Sequence, residues 1–129
     1  AIVVAERVRD QVGIPSTFDT IIFSLGEGNC GVGITPALAQ GYVENTLAGL
    51  RAELASPNLK FVILKHSNNQ SALLPYLNDV NAGYDLVAAA DPLVTLVSTD
   101  DILIGPDRTH DEAPGGLQRS ARIVSAMFR

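Results

Sequence analysis

Cys30 and His66 are the two side chains whose types and placement bear most directly on chemistry. Cys30 is the single cysteine, set in Gly26-Glu-Gly-Asn-Cys-Gly-Val-Gly33 just ahead of the helix start Ile34-Thr35-Pro36. A thiol near a helix N-terminus has its thiolate favoured and can act as a nucleophile. His66 follows the apolar run from Leu59 to Leu64, so it falls at the same sheet edge if the two flanking strands are parallel. An aspartate at 91, 100 or 101 can then orient the imidazole, which makes a Cys-His-Asp arrangement spread over three connections. Against this stands the ordinary use of a lone cysteine as a small buried hydrophobe.

The same stretch carries an anion-binding reading. A strand, a run of glycines and a helix N-terminus aim backbone N–H groups and the helix dipole at one place. Gly26, Gly28, Asn29, Gly31, Gly33 and Thr35 are the candidate ligand-binding residues. The spacing fits neither the dinucleotide fingerprint nor the P-loop, since the third glycine is misplaced and no Gly-Lys-Ser/Thr follows. Glu27 also sets a negative charge where a phosphate would lie. No cofactor is implied, and the glycines read equally as the residues of a tight turn.

The remaining titratable clusters read as structure. His110 with Asp107, Asp111 and Glu112 supplies imidazole and carboxylate ligands, but along one loop and far from the other histidine, so a solvated loop is expected and no metal site. Asp100 and Asp101 could serve as acid and base, although in a short connection they read as turn formers. Lys65 stands as an isolated charge at a strand end.

The elements that must position these groups follow from periodicity. Val4, Val8 and Val12 make an amphipathic helix of residues 1–13, ended by Gly13 and Pro15. Thr20 to Phe23 is a short apolar, β-branched run that reads as a buried strand. Thr35 is an N-cap and Pro36 a first helical residue, opening a helix over 36–55 whose inner side is Leu38, Tyr42, Leu47, Leu50 and Leu54. Leu59 to Leu64 is a second buried strand, so residues 19–65 form a βαβ unit with parallel strands. A helix over 70–82 is capped by Ser71, faces inward with Leu73, Leu74, Leu77 and Val80, and stops at Gly83. Residues 84–90 suit a strand or a short helix. Leu93–Val97 and Asp101–Ile104 read as a hairpin around Ser98-Thr99-Asp100. A polar loop then runs from Gly105 to Gly116, and a closing helix over 117–128 buries Leu117, Ile123, Val124 and Met127. The whole is an α/β or α+β fold: a single-layer mixed sheet with a βαβ unit, a C-terminal hairpin and helices at both termini, in one domain over 1–129.

Composition narrows the function classes. Hydrophobic residues make up 47% and charged residues 18%, a low charged share that favours subunit contacts and a homo-oligomer. Nine Lys and Arg against fourteen Asp and Glu give −5. With no basic run there is no phosphate-backbone footprint, so direct nucleic-acid binding is not expected. One cysteine closes no internal disulfide. No targeting or membrane-spanning segment is read in the chain, which points to the cytoplasm or the interior of an assembled particle and away from a membrane. Two classes follow. The first is a non-enzymatic subunit of a homo-oligomeric assembly, such as a virion neck or tail ring or a shell component. The second is a small oligomeric enzyme or small-molecule-binding or anion-binding protein with its site at Gly26 to Thr35 and His66.

Overall fold

The computed structural model describes residues 19–24, 26–70 and 75–128. Its order is β1 (Thr20–Phe23), α1 (Glu27–Cys30), α2 (Pro36–Glu53), β2 (Lys60–Leu64), α3 (Leu77–Ala90), β3 (Val94–Val97) and α4 (Ala113–Met127). The strands lie in the order β1-β2-β3, all parallel, with Ile21 opposite Phe61 and Ile63 opposite Leu96. This is an α/β fold, and the βαβ unit of residues 19–65 is present.

Strand alternation divides the core. Phe61 and Ile63 face one way and pack with Ala39, Val43 and Leu47 of α2 and with Val80, Tyr84 and Val87 of α3. Val62, Leu64 and Val97 face the other way and meet Ala126 of α4. Because β2 is covered on both faces, it reads in sequence as a continuous apolar run rather than an alternating one.

Four expectations need correction. The hairpin over 93–104 does not form: Val94–Val97 pairs parallel to β2, and Ile104 makes only an isolated antiparallel bridge with Asp111. The polar turn residues are used sideways instead, the Thr99 hydroxyl donating to Lys65 O at 2.6 Å and Asp100 Oδ1 accepting from Asn68 N–H at 3.0 Å. Gly83 does not end a helix but lies in the middle of α3, where a Cβ would meet Ala39 Cβ at 2.5 Å and Pro36 O at 3.0 Å. The bare Cα lets α2 and α3 cross closely; in the first turns of α2 Ala39 and Val43 are buried and Leu38 and Tyr42 exposed, while Leu47 and Leu54 are buried as expected. On α4, Gly115 and Ala126 are the buried positions, while Leu117 and Val124 are exposed. A Cβ on Gly115 would touch Leu103 O at 2.6 Å, so this helix too approaches through a small residue. The helix expected over 1–13, the Ser71 cap, Leu73 and Leu74 lie outside the described residues.

At the amino edge of the sheet, Arg51 joins three elements. Its guanidinium binds Asp91 at 2.7 Å and Leu59 O at 3.0 and 3.2 Å, and lies 5.1 Å from the Phe61 ring centroid. Burial pushes the Asp91 carboxyl up, but the hydrogen bonds from Arg51 and Leu93 and the Arg51 charge outweigh it, and the net shift is downward. Arg51→Ala is expected to lower unfolding free energy by about 2 kcal/mol at pH 7, because it strips a charged partner and a carbonyl partner together. Urea titration checks this. Since the folded Asp91 pKa is depressed, the gap between wild type and variant should be complete above pH ~4 and close as pH falls through the folded value.

Candidate functional site

In open parallel sheets ligands bind beyond the carboxyl ends of the strands, where the crossover loops gather. Three loops meet at that edge here. After β1 comes Gly26 with the single helical turn α1, after β2 come residues 65–70, and after β3 come residues 98–112.

The first two touch through His66. Gly26 has φ +112, and a Cβ there would lie 3.3 Å from His66 Nε2 and would overlap the Tyr84 hydroxyl. The His66 and Tyr84 ring centroids are 6.1 Å apart. His66 is itself buried, its backbone N–H donating to Asn81 Oδ1 at 2.9 Å and its carbonyl accepting from Asn81 Nδ2 at 2.7 Å. Gly26 and Asn29 line a cleft of about 140 Å³ whose walls are Phe23, Tyr42, Val43 and Tyr84.

The other sequence candidates are placed differently. Cys30 is wholly buried in the apolar cluster, its Sγ 3.5 Å from Gly26 O. Gly28 and Gly31 are exposed, and among the described residues nothing lies within 4 Å of a Cβ added at Gly28. At Gly33, where φ is +73, an added Cβ would lie 3.4 Å from the Tyr76 ring. The Thr35 hydroxyl caps α2 by accepting from Leu38 N–H at 3.3 Å, with Pro36 in the first turn. Of the three aspartates considered for orienting His66, Asp91 pairs with Arg51, Asp100 takes the Asn68 N–H, and Asp101 grips Arg122 at 2.5 and 2.6 Å. Lys65 is not isolated, for it bonds both carboxylate oxygens of Asp85 at 2.7 and 2.9 Å.

The loop after β3 holds the arrangement with the strongest chemical meaning. His110 Nδ1 lies 2.6 Å from Asp107 Oδ2, while Asp107 Oδ1 accepts the Thr109 and His110 backbone N–H groups, each at 3.0 Å. Both carboxylate oxygens are therefore engaged, and the bonds from His110 and Thr109 hold the Asp107 carboxyl far below the ordinary carboxylate range. An ionised carboxylate only accepts, so in the neutral ring Nδ1 carries the hydrogen and Nε2 is the acceptor nitrogen. The connecting Arg108 sits at φ 60, a conformation that non-glycine residues adopt at a cost of order 1–3 kcal/mol and that clusters at working sites. The turn is closed by Gly105 N–H to His110 O at 2.7 Å and by Glu112 N–H to Leu103 O at 2.9 Å.

The structure thus orients His110 through a neighbour three residues away. The visible signal was the Asp-Arg-Thr-His spacing; as a metal set it carried no geometry, but as a carboxylate-imidazole pair it needs only one tight turn. Among the described residues no group of three or more His, Cys, Asp or Glu side chains is arranged to hold a metal ion. No described helix is long and apolar enough to cross a membrane. The chain matches no protein-family model, no curated protein and no solved structure.

Proposed function

We propose that the chain belongs to a hydrolytic or acyl-transfer enzyme of the α/β class in which His110 is the general base and Asp107 its orienting carboxylate. The observation that carries this reading is the 2.6 Å contact from His110 Nδ1 to an Asp107 carboxylate whose other oxygen is fixed by two backbone N–H groups. Such a pair holds one tautomer and stabilises the imidazolium that forms when Nε2 takes a proton from an attacking hydroxyl. His110 is three-quarters exposed, so a substrate can reach it and exclude water from it as it binds. A chain of net charge −5 repels anions, which favours a neutral ester over a phosphorylated substrate. The test is hydrolysis of p-nitrophenyl acetate and butyrate by wild type, His110→Ala and Asp107→Asn.

A second reading keeps the chain as a subunit of a homo-oligomeric assembly, such as a virion neck or tail ring, acting within an assembled particle. One observation favours it. Leu117 and Val124 on α4 and Phe128 at its C-cap, spaced seven and four residues apart, are all more than half exposed and form one apolar stripe. Light scattering after size exclusion is expected to give a multimer, and Val124→Lys should return it to monomer; a monomeric wild type at micromolar concentration ends this reading.

A further inference from the structure

Gln70 is nearly buried at 3% exposure, and both ends of its amide are engaged. Its Oε1 accepts Ser67 N–H at 2.7 Å, within the loop that follows β2. Its Nε2 donates to Thr109 O at 2.6 Å, across 39 residues, in the loop that carries His110. Thr109 is the residue immediately before His110, and its N–H is also one of the two that fix Asp107 Oδ1. The carbonyl and the N–H of one residue are thus held from opposite sides, the first by Gln70 and the second by Asp107. The neighbouring ties, Asn69 Nδ2 to Asp100 O at 2.7 Å and Asn68 N–H to Asp100 Oδ1 at 3.0 Å, anchor the base of the same loop, ten residues before His110.

We infer that Gln70 is the positioning residue of His110: its amide fixes the Thr109 peptide and, through it, the imidazole of the proposed base relative to the loop after β2. This rests on the reading of His110 as general base. A buried amide suits the task. Glutamine carries a donor NH2 group and an acceptor oxygen on one planar amide, so it can bridge two backbones without placing a charge beside the ionised Asp107. A methionine of similar length would fill the space and leave the Thr109 carbonyl without this donor.

Three variants of the intact chain test the inference. Gln70→Met should lower kcat for p-nitrophenyl acetate about 10- to 100-fold, the range expected for a misplaced base, with KM within about twofold. Gln70→Glu should recover most of the wild-type rate at low pH, where its protonated carboxyl can donate to Thr109 O. It should lose that rate as the carboxyl ionises, a limb that wild type lacks; burial raises the glutamate pKa and brings this limb into the measurable range. A readout independent of activity is the ¹⁵N pattern of the His110 ring: a single Nδ1–H tautomer in wild type and a mixture of tautomers in Gln70→Met. If Gln70→Met keeps the wild-type kcat and tautomer while only its melting temperature falls, the inference is overturned. The same holds if Gln70→Glu shows no pH limb, which covers the case of a poorly folded methionine variant. His110→Ala separates the two proposals. Should it keep full activity, the base reading fails, and the tautomer measurement still decides whether Gln70 positions the ring.

Discussion

His110→Ala is expected to lower kcat/KM for a p-nitrophenyl ester by about 10³-fold, and Asp107→Asn by about 10²-fold, with both variants folded and melting within a few degrees of wild type. General-base catalysis contributes about 10²–10⁴, and the carboxylate's share is the part spent on tautomer and orientation. Stability should barely respond because both side chains are more than half exposed, and an exposed pair contributes little. The pH sign follows from Asp107. Its folded pKa is depressed, so the carboxylate remains ionised wherever an imidazole titrates; the stability it contributes is present above pH ~4 and fades as pH falls through the folded value. The acid limb of activity therefore belongs to imidazole protonation and should vanish in His110→Ala together with most of the rate. An acid limb that persists unchanged in His110→Ala would assign it to another group.

The second large effect is on the fold. Gly83→Ala is expected to cost about 3 kcal/mol, read as a lowered urea midpoint with an unchanged slope. The added methyl would meet Ala39 Cβ at 2.5 Å and two backbone atoms of α2, Gln40 N and Pro36 O, at 3.0 Å. Backbone cannot move aside as a side-chain tip can, so α2 and α3 must separate and loosen the cluster around Leu47, Val80 and Tyr84. Gly49 provides the control. It lies on the exposed side of α2 with no described residue within 4 Å of an added Cβ, so Gly49→Ala should stabilise the helix by about 0.5–1 kcal/mol. Opposite signs for two glycine-to-alanine changes in facing helices separate the packing effect from helix propensity.

These two glycines also show where sequence carries the fold and where it does not. β1, α2 and β2 were legible because each obeys a local rule. Buried parallel strands are short apolar runs between turn residues, and Thr35-Pro36 is a cap followed by a residue suited to the first turn. Gly83 follows a non-local rule. Glycine after an apolar helical run ordinarily marks a stop, and only the presence of Ala39 and Pro36 across the gap makes it a crossing point inside a longer helix. The stretch after Val97 failed as a hairpin for a similar reason. Ser98-Thr99-Asp100 has turn chemistry, yet Thr99 and Asp100 spend it on Lys65 and Asn68 in the adjacent loop, which takes the chain out of the sheet.

The candidate site divides along the same line. The Gly26 loop and His66 do come together, as the parallel strands required, because both connections leave the sheet at its carboxyl edge. Cys30 could not be assigned from its neighbours in sequence: the single turn Glu27–Cys30 rotates its thiol into the apolar cluster. The Asp107–His110 pair depends on Arg108 taking a left-handed conformation, and Gln70 reaches Thr109 only through the folded loops. Neither feature has a periodicity, so composition and spacing record the residues without recording their contact.

The most direct measurement is a double-mutant cycle on ester hydrolysis, comparing wild type, Asp107→Asn, His110→Ala and the variant carrying both changes at one pH. If Asp107 acts through His110, the double variant should be no slower than His110→Ala alone, within about twofold. Losses that multiply, leaving the double variant about 10²-fold slower than His110→Ala, would contradict the account and show the two residues working independently.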